Sequence, residues 1–281
     1  MTIRLSTHGW CVLIISILVI FLYYLSSFNP VGHLKGEVTS VRRLLTRCIH
    51  LSEEAGGLIK FISLKHNLNS RTKHGGILKQ EPLTDADLGS HQIIVSGLAS
   101  AFPELLVRSE EHELPTHRLL DYKESVYHSD FQSSLPNDDL FVPITDLVIW
   151  VDPLDGTQEY TEGLNEYVSV MICIVLHDHP IAGIIHQPFL NKTCFKAISL
   201  IKGDADMYIH PSTTRRWDVC APQAVLESVG GRLTGLDGSP LGFTSKSSPG
   251  IPSEIGLFAT ADRVLYDRWN AKISDFFKTS S

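Results

Sequence analysis

Two aspartates, Asp152 and Asp155, stand three residues apart at the end of an apolar run. The run Leu147–Val151 is rich in β-branched residues and predicts a buried strand, which Pro153 interrupts because proline has no N–H to donate. Two carboxylates held this close repel each other, and a divalent cation with hard oxygen ligands would stabilise both. The pattern indicates a metal site, although an acidic turn without chemistry explains a bare D-P-x-D tetrapeptide equally well.

Gly156 and Thr157 follow these aspartates directly. Glycine allows the backbone to approach a ligand closely, and a hydroxyl group with neighbouring amides favours an anion such as phosphate. We therefore expect a phosphate group to lie against this turn, beside the metal.

The stretch from Trp150 to Gly163, WVDPLDGTQEYTEG, resembles the signature of the inositol monophosphatase family of magnesium-dependent, lithium-sensitive phosphatases. A second stretch at residues 217–222, WDVCAP, resembles the downstream motif of that family. The ending EYTEG is similar to the branch that hydrolyses 3′-phosphoadenosine 5′-phosphate (PAP) and inositol polyphosphates. The resemblance implies an α+β fold, a layered α-β-α-β-α sandwich.

The same resemblance implies roles for individual residues. Asp87 and Thr157 would orient and deprotonate the attacking water, and Gly156 and Thr157 would contact the substrate. Two or three Mg²⁺ ions would be held by five groups: Glu110, Asp152, the Leu154 carbonyl, Asp155 and Asp218.

Each acidic residue outside the signature also has an ordinary structural explanation. Asp87 lies in the first turn of a predicted helix with Thr84 or Asp85 as its N-cap, and this needs no chemistry. Glu110 follows a short predicted strand, where a carboxylate is usually solvated. Asp218 begins another predicted helix and would complement its dipole. Because apolar residues surround Asp218, a shared metal ion would also stabilise its charge.

Hydrophobic periodicity predicts the scaffold around these residues. The expected segments are a helix at about Glu37–Lys65, a basic loop at His66–Gly76, a polar surface excursion at Glu113–Asp146, a hairpin at Tyr167–His186 and a terminal helix at Arg263–Phe277.

The spacing of the motifs departs from the family. Asp155 and Asp218 stand much closer in the sequence than the family pattern predicts. We therefore expect a missing internal segment at the Phe195/Lys196 junction, which leaves the second half of the sandwich incomplete. The loss would remove strands, helices and a glycine-rich turn that help to hold the nucleotide, while all the metal ligands stay.

Residues 10–28 form an uncharged apolar run, long enough to cross the ~30 Å hydrocarbon layer at about 1.5 Å per residue. The run exceeds an ordinary signal-peptide core and lacks an A-x-A site, so an uncleaved transmembrane anchor is favoured over a cleaved signal peptide. We expect a short tail at 1–9, this anchor, a linker at 29–36 and a phosphatase-like domain at 37–281.

Two features of the sequence disagree about the side of the membrane on which the C-terminal part lies. Arg4 alone precedes the span while Lys35 and Arg42–Arg43 follow it, so the positive-inside rule favours a cytosolic C-terminal part. The sequon Asn191–Thr193 would matter only in a secretory lumen. The resemblance implies a lumenal catalytic domain, and we expect a single-pass Golgi membrane protein of that orientation.

The composition of the chain limits the classes of ligand and partner that it can bind. A net charge of −7 argues against binding to nucleic acid, but bound cations would still allow a small phosphate ester. Five cysteines without C-x-x-C spacing indicate neither a zinc site nor a redox pair, and a disulfide stays open. The family resemblance, not the composition, implies the expected function: magnesium-dependent hydrolysis of the 3′-phosphate of PAP. Inositol phosphate hydrolysis, an inactive shortened chain and a homodimer stay open.

Overall fold

The computed structural model describes residues 37–65, 68–73, 81–112, 138–189, 195–252 and 255–279. The elements from Val38 onward belong to one compact unit. The predicted tail (1–9), anchor (10–28) and linker (29–36) and the sequon at Asn191 lie outside the described residues. Within the described ranges, no helix has the length and apolar character needed to cross a bilayer.

The described part contains six α-helices and thirteen short or long strands. The helices are α1 (Val41–Leu64), α2 (Asp85–Ala101), α3 (Thr157–Thr161), α4 (Phe195–Lys202), α5 (Arg216–Ser228) and α6 (Arg263–Thr279). The strands are β1 (Val38–Ser40), β2 (Arg71–Thr72), β3 (Pro82–Leu83), β4 (Leu106–Ser109), β5 (Phe141–Pro143), β6 (Leu147–Asp155), β7 (Ser169–Leu176), β8 (His179–His186), β9 (Tyr208–His210), β10 (Thr214–Arg215), β11 (Arg232–Thr234), β12 (Gly250–Ile251) and β13 (Leu257–Thr260).

The first sheet has the strand order β4-β6-β7-β8, with β4 parallel to β6 and the other pairs antiparallel. The strand predicted at Leu147–Val151 runs on to Asp155, with a register shift between Asp152 and Asp155. Pro153 lies in this irregularity, where a residue without an N–H is tolerated. The predicted hairpin is present as β7 and β8, joined at His177–Asp178, where both residues have the positive φ typical of a tight hairpin turn.

Alternation along β6 and β7 sends neighbouring side chains to opposite faces of this sheet. On one face, Ile149 and Ile172 belong to a core with residues of α1 and α2. On the other face, Trp150 and Met171 belong to a core with Trp217 at the start of α5. The second sheet, β11-β13-β9, lies beyond α5, and α6 packs on β13. The layers therefore follow the predicted order of helix, sheet, helix, sheet, helix.

The second sheet is much smaller than the first. Its strands β9, β11 and β13 have 3, 3 and 4 residues, whereas β6, β7 and β8 have 9, 8 and 8. The helix α4 begins at Phe195, at the predicted junction. The loss of an internal segment at this junction stays a prediction.

Two predicted boundaries are wrong. The first long helix begins at Val41 rather than near Glu37, because β1 pairs with β5 and the Arg43 N–H donates to the Ser40 hydroxyl at 2.9 Å as an N-cap. The segment predicted as a surface excursion, Glu113–Asp146, is described only from residue 138, and there it forms β5 and a 3-10 turn.

A disulfide joins the first sheet to the middle helix layer. It links Cys173 of β7 to Cys220 of α5, with 5.7 Å between the Cα atoms, and both residues are buried. The sequence left such a pairing open. Because Cys220 follows Asp218 by two residues, the covalent link fixes the helix that carries Asp218 to the sheet that carries Asp152.

Candidate active site

A cavity of about 240 Å³ opens at the end of β6, and most of the predicted site residues line it. The predicted residues in its wall are Glu110, Asp152, Leu154, Asp155, Gly156, Thr157 and Asp218. These come from the end of β4, the end of β6 with the following turn, and the start of α5. The fold therefore brings acidic side chains from three distant parts of the chain to one cavity.

The irregular end of β6 determines how its two aspartates are presented. The Asp152 side chain is buried, and its Oδ1 accepts a hydrogen bond from the Leu154 N–H at 3.1 Å. The Ser169 hydroxyl lies 3.4 Å from Asp155 Oδ2 across the β6–β7 pair. Gly156 follows with φ of +82°, a conformation that favours glycine and turns the chain into α3.

Burial and neighbouring charge both act on Asp152. Burial raises its pKa well above the ordinary value, and the negative charges of Glu110, Asp155 and Asp218 raise it further, while Lys73 opposes them. A carboxylate among three acidic neighbours requires nearby positive charge to stay ionised at neutral pH. The electrostatics of the cavity therefore favour a bound cation.

Asp87 lies behind the cavity wall, at the start of α2. Its Oδ2 accepts hydrogen bonds from the Thr84 N–H at 2.7 Å and from the Thr84 hydroxyl at 2.6 Å. Its Oδ1 accepts a hydrogen bond from the Thr157 hydroxyl at 2.8 Å. Thr84 is therefore the N-cap, and the alternative cap, Asp85, is instead the first helical residue and accepts a hydrogen bond from Asn69.

The surroundings of Asp87 make it a stronger base than an ordinary aspartate. Burial raises its pKa to about 6, although hydrogen bonds from Thr84 and Thr157 and the charge of Lys73 act in the opposite direction. At neutral pH it is therefore largely ionised and able to accept a proton. When the Thr157 hydroxyl donates to Asp87, its oxygen is left to accept a hydrogen bond from a water molecule.

Lys73 provides a positive charge at the edge of the cavity. Its Nζ lies 2.6 Å from Glu110 Oε1 and 2.5 Å from Glu111 Oε1. Burial disfavours its charged form, but the two glutamates outweigh burial and raise its pKa above the ordinary value. Burial also raises the pKa of Glu111 to about 7, against the effect of Lys73. The ammonium group thus lies where a metal ion bound by Glu110 would compete with it.

Asp218 combines both explanations offered by the sequence. It lies in the first turn of α5, where its Oδ2 accepts hydrogen bonds from the Thr214 hydroxyl at 3.0 Å and the Arg215 N–H at 2.9 Å. It also lines the cavity. Burial raises its pKa to about 7, and the charges of Asp155 and Glu110 add to that effect. The helix-cap role and a place in the acidic cluster are therefore compatible.

A family model for the inositol monophosphatase family matches residues 45–199 and 193–275, which together make up most of the chain. The chain belongs to the inositol monophosphatase family. The two matched pieces meet within residues 193–199, around the predicted Phe195/Lys196 junction.

Family members of known name cover nearly the whole chain. Putative inositol monophosphatase 3 of Drosophila melanogaster is 27% identical over 97% of this chain and 94% of its own length. That alignment extends over 343 residues, more than the 281 of this chain, so the relative contains positions without a counterpart here. The human Golgi-resident adenosine 3′,5′-bisphosphate 3′-phosphatase is 24% identical over 89% of this chain and 85% of its own length.

Solved structures share the fold. SaIMPase-II with bound 2′AMP has a TM-score of 0.56 at 14% identity, covering 84% of this chain and 98% of that chain. SaIMPase-II with bound inositol monophosphate has a TM-score of 0.57 at 14% identity, covering 86% and 100%. At this identity the likeness establishes the inositol monophosphatase fold.

The donor chemistry of the site fits the magnesium dependence that is general in the inositol monophosphatase family. Carboxylate and carbonyl oxygens are the hard ligands that Mg²⁺ takes. The pKa of Asp152 is raised first by burial and then by its acidic neighbours, and a bound cation would offset both effects. Among the described residues, no group of three His, Cys, Asp or Glu side chains converges on one ion position. The individual ligand assignments therefore stay predictions.

Two positively charged residues of the cavity, Lys73 and Arg215, were not predicted as site residues. Lys73 fell within a basic run that the sequence marked only as a loop, and Arg215 precedes the WDVCAP motif. A short hairpin carries Lys73 to the cavity: β2 pairs with β3, and the Lys73 N–H donates to the Glu81 carbonyl at 2.8 Å. Two-residue strands have too little pattern for sequence periodicity to reveal them.

Proposed function

We propose that this chain is a magnesium-dependent phosphomonoesterase that hydrolyses the 3′-phosphate of PAP, giving AMP and phosphate. The observation that carries the proposal is the acidic cavity beside the hydrogen-bonded pair Asp87 and Thr157. Membership of the family supports phosphatase chemistry. The relatives named Golgi-resident adenosine 3′,5′-bisphosphate 3′-phosphatase support the nucleotide substrate.

The chain's own residues divide the work in this proposal. Gly156 and Thr157 lie against the phosphate, and the Thr157 oxygen accepts a hydrogen bond from the attacking water. As the water oxygen bonds to phosphorus, the water proton passes through the Thr157 hydroxyl to Asp87. The 3′-oxygen leaves with the electron pair of the broken P–O bond and takes a proton from a second water molecule. The hydroxide left by that water takes the proton from Asp87, which returns to its ionised form.

Magnesium would be held by the predicted ligands Glu110, Asp152, the Leu154 carbonyl, Asp155 and Asp218. When bound, two or three such ions supply the positive charge that stabilises a phosphoryl group during transfer. Inhibition by lithium belongs to the same proposal, because a small monovalent ion would compete for these oxygen ligands.

An inositol phosphate is the second candidate substrate. The relatives named inositol monophosphatase 3 and the SaIMPase-II complex with inositol monophosphate support it. A third candidate is a shortened chain without activity, because the small second sheet leaves less of the protein to surround a substrate.

The proposal also includes the location of the enzyme. We propose that residues 10–28 anchor the chain in the Golgi membrane. Residues 29–36 form the linker, and the catalytic domain, residues 37–281, lies in the Golgi lumen. Golgi-resident relatives support the compartment. The disulfide between Cys173 and Cys220 supports the lumenal side, because disulfides persist in oxidising compartments and are rare in the cytosol.

Phosphate release by the full-length chain in detergent tests this function. We expect Mg²⁺-dependent release from PAP that exceeds release from inositol bisphosphate. Asp87→Asn should lower kcat by about 10²–10⁴-fold, the usual contribution of a general base. Asp206→Asn changes an exposed aspartate of the second half and serves as the matched control.

The alternatives give different results in the same assay. Phosphate release from inositol bisphosphate but not from PAP would show that the substrate is an inositol phosphate rather than the nucleotide. No release from either compound, by a chain that melts cooperatively and is stabilised by Mg²⁺, would show that the shortened chain is inactive.

A further inference from the structure

A second cavity, of about 120 Å³, adjoins the candidate active site, and Asp155 and Asp218 line both. The rest of its wall is mostly apolar and comes mainly from α4, α5 and the second sheet, with Met171 of β7 and Thr214 of β10. The residues that define it are Leu200, Tyr208, Val219, Leu233, Leu257 and Ala259. We call it the apolar cavity.

We infer that the apolar cavity receives the flat heteroaromatic base of the substrate, so that the chain selects a nucleotide over a polyol phosphate. The inference rests on the proposed function, which requires the phosphate to lie against Asp155 and its neighbours. When the phosphate group lies beside Asp155, the rest of the substrate can reach the apolar cavity, because Asp155 and Asp218 line both cavities.

Size supports this division of the substrate between two cavities. Ligand sites commonly have volumes of roughly 300–1,000 Å³. Neither the acidic cavity of about 240 Å³ nor the apolar cavity of about 120 Å³ reaches this range alone. Together they do, with charged walls for a phosphate at one end and apolar walls at the other.

The chemistry of the wall distinguishes a base from a polyol. An apolar cavity of about 150 Å³ in another protein stays free of water and binds benzene, so a void of this kind accommodates a flat ring. The hydroxyl groups of an inositol ring would lose their hydrogen bonds to water there, and each hydroxyl left unpaired disfavours binding. The apolar cavity therefore favours a base.

Two aromatic rings add a flat surface to the apolar cavity. Tyr208 and His210 both line it, and their rings are stacked, with centroids 5.9 Å apart and planes inclined by 16°. Both side chains are only partly buried, so the pair reaches the solvent side of the cavity. Aromatic faces of this kind make favourable contacts with other flat rings.

Filling the apolar cavity tests the inference in the full-length chain. Ala259→Leu places a larger side chain in its wall, and Leu200→Phe does so from α4. We expect kcat/KM for PAP to fall by about tenfold or more in each variant, as steric changes in apolar pockets typically do, while kcat/KM for inositol bisphosphate stays within a factor of about two. Ala205→Leu makes the same change at an exposed position and should alter neither value.

Adenosine provides a readout that does not depend on turnover. It carries the base without a phosphate, and it should raise the Tm of the unmodified chain but not of Ala259→Leu or Leu200→Phe. Inositol should not raise the Tm of the unmodified chain or of either variant. This measurement decides the inference even if one filled variant fails to fold.

The failures are distinguishable. If PAP is hydrolysed and both filled variants keep the unmodified ratio of the two kcat/KM values, the base lies elsewhere and only the inference fails. If neither substrate is hydrolysed, the proposed function fails, and absence of any adenosine effect on Tm then overturns the inference as well.

Discussion

The two sheets differ in strand length, in burial and in the chemistry that they carry. The long strands β6 and β7 are almost entirely buried, and β6 carries Asp152 and Asp155 at its end, directly before the turn to Thr157. The second sheet has strands of three or four residues, and Ile209 on its β9 strand is 40% exposed. Charged groups at the end of a long buried strand are held more firmly than groups on a short one.

We call residues 37–189, which contain the first sheet, the first region, and residues 195–279, which contain the second sheet, the second region. The two regions compensate their carboxylates differently. Asp218 accepts two hydrogen bonds from neutral donors, Thr214 and Arg215 N–H. Glu110 of the first region pairs with the ammonium group of Lys73. The first region therefore carries both the acidic cluster and its positive counter-charge, whereas the second region contributes one carboxylate and the apolar cavity. Loss of a segment from the second region affects the wall around a substrate more than the cluster.

The largest expected effect concerns the covalent link between these regions. Replacing both Cys173 and Cys220 by alanine removes a disulfide that closes a sequence separation of 47 residues. Loss of a native disulfide costs about 2–5 kcal/mol, so we expect Tm to fall on the order of 10 °C. Scanning calorimetry in the absence of reductant measures this change.

Cys48→Ala is the matched control, because Cys48 is also buried but has a free thiol in α1. The double variant should in addition require more Mg²⁺ for stabilisation, since α5 is then free to shift Asp218 away from Asp152. A double variant no less stable than Cys48→Ala would show that noncovalent packing alone holds α5 on the first sheet.

The second prediction concerns the counter-charge of the first region. Lys73→Met removes the ammonium group that lies against Glu110 and Glu111. We expect the Mg²⁺ concentration needed for half of the Tm increase to fall on the order of tenfold, about 1.4 kcal/mol. The reason is that Mg²⁺ no longer competes with the Lys73 ammonium group for Glu110. Without Mg²⁺, the variant should melt below the unmodified chain.

Lys246→Met changes an exposed lysine of the second region and should leave both quantities unaltered. A higher Mg²⁺ requirement in Lys73→Met would reverse the interpretation, because Lys73 would then assist binding rather than compete with it.

Long elements of the first region were predictable from the sequence because their patterns extend over many residues. The alternation in β7 and β8 and the N-cap at Thr84 need only local information. The family resemblance, rather than periodicity, singled out Asp87 and Asp218. Periodicity could not distinguish a helix cap from a member of an acidic cluster, and Asp218 is both.

The features that escaped prediction depend on contacts between distant, short or unpatterned segments. Strand β9 has three residues, too few to show alternation. The pairing of β1 with β5 and the disulfide between Cys173 and Cys220 join segments far apart in the chain. In both cases, the local sequence of one partner does not identify the other. The apolar cavity is lined by residues of eight elements and has no sequence signature.

The smallest expected effect is a pH dependence that compares one carboxylate from each region. Glu111 and Asp218 each have a pKa of about 7 in the folded chain, above the ordinary values of 4.5 and 3.8. The folded state therefore binds more protons than the unfolded state between those limits, and stability without metal must fall as pH rises towards 7. His91 and His186 have lowered pKa values and act in the opposite sense, but most of their effect lies below the ordinary histidine value of 6.5.

Above pH 6.5 in EDTA, the effect of the carboxylates therefore exceeds that of the histidines, and the raised pKa of Asp152 adds to it. We expect Tm to fall by a few degrees, at roughly 2–4 °C per kcal/mol. Mg²⁺ should flatten the dependence, since a bound cation stabilises the ionised forms. Asp218→Asn should reduce the fall, and the remainder then reports the first region. A Tm that rises through this interval in EDTA would mean that the two buried carboxylates are already ionised and compensated, and the contrast between the regions would lose its electrostatic basis.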